Sequence, residues 1–160
     1  MILDSGNRTE FASGAVRDIQ EGKGRCDLLP LDIVSQFLID DVLACISSFQ
    51  HTGQHFYLIR ALKEFKGFDD EKTLALEVAV HMEDGAKKYG ERNWQRGIPL
   101  SRYVDSAVRH YLKHLRGDTD ERHDRAFCWN IMCAAWTCKH KPELNEYAKD
   151  KPETNTAHTG

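Results

Sequence analysis

The sequence predicts an all-α fold: a compact bundle of about five helices, three of them closely packed, with a charged N-terminal loop and a disordered C-terminal tail. Three observations predict it. Apolar residues recur at helical spacing in separate runs, apolar–polar alternation is almost absent, and glycine, proline or acidic residues punctuate the runs.

Residues 1–12 read as a flexible lead, and 13–30 as a loop, because Gly14, Gly22 and Gly24 stand among charges ahead of Pro30. Over 31–49, Ile33, Val34, Phe37, Leu38, Val42, Leu43 and Ile46 follow a helical period, with Asp32 near the start. The stretch from His51 to Gly53 breaks it, and a shorter helix is expected over 54–66, carrying Phe56, Ile59, Leu62 and Phe65. Asp69, Asp70 and Glu71 put negative charge at the positive end of a helix over 70–88, whose face carries Leu74, Val78, Met82 and Ala86. Gly90 closes it. A loop over 90–99 ends at Pro99, and Ser101 is the expected cap of a helix over 101–116. Gly117 and Asp118 end that helix, and Asp118 or Thr119 opens the last one, to about 139. The composition from Lys141 onward is that of a disordered tail. The expected division is a lead over 1–12, one helical domain over 13–140 and a tail over 141–160.

A net charge of −3 argues against broad coating of nucleic acid or anionic membrane, and no apolar run is long enough for a membrane helix. The N-terminus lacks the basic-then-apolar order of a signal peptide. Cys26, Cys45, Cys128, Cys133 and Cys138 are odd in number and show no C-x-x-C spacing, which suits reduced, buried thiols. A cytoplasmic protein is expected.

The chemistry concentrates between Met82 and Asn130. Glu83 lies near the end of the third helix, and a carboxylate there is a hard-oxygen ligand for Mg²⁺ or Mn²⁺. His110 sits mid-helix, and Asp105, between Val104 and Val108, is a carboxylate that needs a partner. His123 and Asp124 open the last helix. Glu83, His110 and His123, with Asp105 or Asp124, are therefore the expected metal and catalytic set. Glu121 and Asp124 satisfy an E-x-x-D spacing, but no E-x-x-E precedes them, so the four-carboxylate pattern of all-α pyrophosphohydrolases is not expected.

In the loop, Arg92 can grip phosphate through its fork and Lys87 as a point charge. Tyr89 or Trp94 offers a stacking plane, or else anchors the loop to the core, and Asn93 can pair with a base edge. Asn130 is polar on a largely apolar helix and is expected to orient a ligand or the loop. Arg17, Lys23 and Arg25 form a flap over phosphates or a solvated connector, without P-loop order.

At these residues the chain resembles a family found largely in phages, the N-terminal domain of dATP/dGTP diphosphohydrolases. The matching pieces are S-G-A-V-R-D-I-Q-E-G-K-G-R-C-D-L-L-P at 13–30, M-E-D-G-A-K-K-Y-G-E-R-N-W-Q-R-G-I-P-L-S-R-Y at 82–103, D-S-A-V-R-H-Y-L-K-H-L-R-G-D at 105–118 and H-D-R-A-F-C-W-N at 123–130. The resemblance implies cleavage of a purine deoxynucleoside triphosphate to monophosphate and pyrophosphate with a divalent metal. It carries functional roles onto Glu83, Lys87, Tyr89, Arg92, Asn93, Trp94, Asp105, His110, His123 and Asn130. In multi-part relatives this domain precedes a separate pyrophosphohydrolase domain. Two rival readings are a nucleotide binder that acts as a sponge and a structural helical bundle that engages a phage or host partner. The expected partner is a small nucleotide, and analogy with small helical nucleotide enzymes extends to a homo-oligomer.

Overall fold

Asp40 begins a helix in the middle of the run expected to be continuous. In the computed structural model, which describes residues 5–148, its carboxylate accepts the Leu43 N–H at 2.8 Å, and Ile39 before it turns into the left-handed region at φ 52°. The expected helix over 31–49 is thus two, α1 (Leu31–Leu38) and α2 (Asp41–Thr52). The break rotates α1 away from the core. Leu31 is buried, but Ile33, Phe37 and Leu38, expected to face inward, are exposed.

The other helices are α3 (Phe56–Glu64), α4 (Glu71–Tyr89), α5 (Leu100–Arg116) and α6 (His123–His140). Asp70, one of the acidic residues expected at this helix end, caps α4, accepting the Thr73 N–H at 2.7 Å. Gly117 ends α5 in the left-handed conformation, its N–H meeting the His114 carbonyl while the Asp118 N–H meets that of Lys113. Two expected starts move. Helix α5 begins at Leu100 after Pro99, and Ser101 is no cap, because its backbone N–H and its hydroxyl both donate to Glu146. Helix α6 begins at His123 rather than at 118 or 119, because the residues between Gly117 and His123 form irregular chain.

Helices α5 and α6 run antiparallel, with His110 beside His123 and Tyr103 beside Trp129. Helix α4 lies along α6 in the same direction, Glu77 meeting Arg125 and His81 meeting Trp129. Tyr103, Val104, Ala107 and Val108 of α5, with Phe127, Ile131 and Ala134 of α6, are fully buried, and α2 and α3 close the core with Leu43, Ile46, Phe49 and Leu58. The molecule is mostly helical.

Both ends of the described segment join this body. Arg8–Glu10 (β1) pairs antiparallel with Val16–Asp18 (β2), so the expected lead and loop supply a short hairpin. A 3-10 turn over Pro142–Leu144 and Asn145, whose amide donates to Gly53 O at 2.8 Å, carry order past residue 140. Gly97 marks how closely that turn packs: a Cβ there would lie 2.7 Å from Leu144 Cδ1, and its φ is 118°. The remainder of the expected tail, 149–160, lies outside the described residues. The cysteines are free thiols.

Candidate functional site

A cavity of about 1090 Å³ opens between α4, α5, the middle of α6 and the N-terminal hairpin. Helical phase selects its walls. His81, Met82, Gly85, Ala86 and Tyr89 face it from α4, and Arg102, Asp105, Ser106, Arg109, His110 and Lys113 from α5, each set stepping by three or four residues.

At one end, His110 Nδ1 and His123 Nδ1 stand 2.9 Å apart. Asp120 Oδ1 lies 2.7 Å from His123 Nε2, so a proton on that nitrogen is held by the carboxylate and the Nδ1 lone pair faces His110. Two nitrogens each about 2.1 Å from one six-coordinate ion would be about 3 Å apart, the spacing found here. Glu121 brings a ligand atom within 4.8 Å of both histidines, completing a trio able to hold a cation. Burial, then the charges of His123 and Arg109, hold His110 well below the usual imidazole range, in the neutral form a ligand needs. Burial pushes the Glu121 carboxyl up, with His123 and then Lys113 and Lys23 offsetting it only in part. A buried carboxylate beside the neutral His110 imidazole and the His123 ring fits a divalent cation.

The rest of the cavity is short of negative charge. Arg17 donates to Ser106 Oγ at 3.1 Å and Asn130 Oδ1 at 3.0 Å, and lies over the rings of Tyr103 and Trp129. Its Nη1 is buried without a hydrogen-bond partner. Burial lowers Arg17 from the usual guanidinium range, and burial followed by the charges of Arg17 and Arg109 lowers Arg102. Both groups remain cationic, because a guanidinium keeps its proton even when buried.

Several expected site residues instead hold the site's walls. Asp105 accepts from Gln20 Nε2 at 2.8 Å, from the Cys26 N–H at 2.7 Å and from Arg109 Nη2. Burial pushes its carboxyl up, but those bonds and the Arg109 charge outweigh it and keep it below the usual range. Asn93 was expected to read a base edge; its amide instead exchanges two 2.8 Å bonds with the Val16 backbone, fastening β2 like a further strand. Asn130 donates to Ala126 O and positions Arg17. Trp94 lines the cavity while packing edge-on against Trp136 at 5.0 Å, and Tyr89 and Arg92 line the same side. Lys23 lines it too, paired with Asp18 at 2.7 Å.

Five expected residues do not line the cavity: His123 is buried against His110, which does, and the other four lie away from both. Glu83 is next to Met82 and therefore about 100° round the helix from the inner stripe; it points outward and pairs with Lys87 at 3.5 Å. Lys87, next to Ala86, is outside for the same reason. Arg25 is held bidentately by Asp27, and Asp124 by Arg122. Glu121 takes the place expected of Glu83 in the cluster. The sequence reading missed Arg102, Arg109 and Lys113, although their spacing from Asp105 and His110 puts all five on one face of α5. It also missed His81 and Trp129, whose approach to the cavity depends on how α4 packs on α6.

A family model described as dATP/dGTP diphosphohydrolase, N-terminal, matches residues 71–147, just under half of the 160-residue chain. The matched segment includes α4, α5 and α6, and therefore both histidines and Glu121, while the hairpin with Arg17 and Lys23 precedes it. No curated protein and no solved structure matches the chain. Among the described residues, no helix is long and apolar enough to cross a membrane.

Proposed function

We propose that this chain, whose residues 71–147 match the dATP/dGTP diphosphohydrolase N-terminal family model, hydrolyses purine deoxynucleoside triphosphates to the monophosphate and pyrophosphate. The observation that carries the reading is the meeting of His110, His123 and Glu121 at one end of a large, mainly cationic cavity. Those three residues would hold Mg²⁺ or Mn²⁺, and two imidazoles with one carboxylate suit Mn²⁺ better. The ion supplies Lewis acidity toward phosphoryl oxygens.

The chain's own groups do the rest. Arg17, Arg102, Arg109 and Lys113 gather the polyphosphate and neutralise charge that grows on its oxygens. Asp105 keeps Arg109 aimed and holds the 20–26 segment over the cavity, a positioning role. Asp120 fixes the His123 ring. Tyr89, Trp94 and Trp129 offer aromatic surface to a base.

Incubating the protein with each dNTP and Mn²⁺ and resolving the products tests this. Release of pyrophosphate with dAMP or dGMP is expected, and loss of it in His123→Ala. Absence of pyrophosphate from every dNTP contradicts the reading. One observation favours a second reading, binding without turnover: Asp105 is committed to its partners, which leaves Glu121 as the one carboxylate grouped with both histidines among the described residues. A thermal midpoint raised by dATP or dGTP with no product formed would select it.

A further inference from the structure

Gly85 lies in the interior of α4, where glycine destabilises a helix relative to alanine. Packing does not explain it. A Cβ placed there meets no atom within 4 Å, so no neighbour requires its absence. The residue lines the cavity in the stripe with Met82, Ala86 and Tyr89, so a side chain there would project into that space.

Its place along the cavity can be read from helix contacts. Glu77 meets Arg125 and His81 meets Trp129, so α4 and α6 advance together and Gly85 comes level with Cys133. About 15 Å of helix rise therefore separates Gly85 from the level of His123. Arg17 lies between, against Ser106, Asn130 and Trp129. A metal-capable end, a guanidinium midway and a bare stretch of helix beyond reproduce the layout of an extended nucleotide.

We propose that Gly85 determines specificity by leaving a flat wall on which the planar ring of a nucleotide lies, with the polyphosphate running past Arg17 toward His110 and Glu121. The proposal rests on reading the cavity as a nucleoside triphosphate site. It accounts for a glycine that the helix alone disfavours.

The test compares Gly85→Ala and Gly85→Leu with the wild-type chain, titrating dATP, dGTP and the ring-free inorganic tripolyphosphate in Mg²⁺, with helix content followed by circular dichroism. Gly85→Leu is expected to weaken dATP and dGTP about tenfold or more, the scale of one lost ring contact, and to leave tripolyphosphate unchanged. Gly85→Ala is expected to raise the thermal midpoint while weakening the dNTPs to a smaller degree, a combination a merely structural glycine would not give. Unchanged dNTP affinity in both variants, or equal losses for ring-bearing and ring-free ligands, overturns the proposal. A wild-type chain that binds neither dATP nor dGTP removes the nucleotide reading and the proposal together, whereas wild-type binding that survives Gly85→Leu removes the proposal alone.

Discussion

Asp105 and His110 both face the cavity from α5, yet their surroundings differ. Around Asp105 the polar groups satisfy one another: Gln20, the Cys26 backbone and Arg109 all donate to one buried carboxylate, and nearby Asn93 closes both of its bonds on Val16. Around His110, a second imidazole approaches nitrogen to nitrogen, and Glu121 sits where burial disfavours its charge. The first region is closed by its own hydrogen bonds, and the second gathers the ligand atoms a cation would need. Polar residues facing a cavity are thus not equivalent, and what each already bonds to separates scaffold from site.

Mutations should pull the two regions apart. Asp105→Ala leaves the largely buried Arg109 without its carboxylate and should cost about 3 kcal/mol, read as a lower urea midpoint. Asp120→Asn should lower Mn²⁺ affinity roughly 10–100-fold by freeing the His123 ring, with little change in the urea midpoint. Asn93→Ala removes both bonds to β2 and should cost about 1–2 kcal/mol, with protease cutting first in the hairpin. Glu83→Ala, which breaks only an exposed pair, should stay within about 0.5 kcal/mol of wild type and leave turnover unchanged.

A pH series sharpens the same contrast. Burial holds His81 at about 4 in the fold against 6.5 unfolded. Below about pH 6.5 the unfolded chain takes up a proton that the folded chain refuses, so this contribution is intact above 6.5 and declines as pH falls toward about 4. Buried His110 acts in the same sense. Asp105, depressed in the fold, contributes above the ordinary carboxylate value and weakens only at lower pH. Urea midpoints should therefore fall between pH 7 and 4 in wild type and fall less in His81→Gln.

Much of the helical frame was legible because apolar spacing and acidic caps act locally: α4, with Asp70 as its cap, appears almost as expected. The break after Leu38 was not, because Ile39 adopts a left-handed conformation that a β-branched residue disfavours. Both histidines were chosen from chemistry, but their carboxylate was misassigned. The inward face already marked by Leu74, Val78, Met82 and Ala86 excludes Glu83 by helical phase, so that error lay within reach of the sequence. Glu121 did not, since its approach depends on the irregular chain between α5 and α6. Asn93 required the hairpin it fastens, a contact 77 residues apart in sequence.

The most direct test of the metal-holding trio is Mn²⁺ binding by the full chain, followed by electron paramagnetic resonance, in wild type and in a His110→Ala, His123→Ala double variant. The geometry predicts one bound Mn²⁺ per wild-type chain and none at the same concentration in the double variant, with helix content preserved. Equal Mn²⁺ binding by the two proteins, or no binding by wild type, would contradict it.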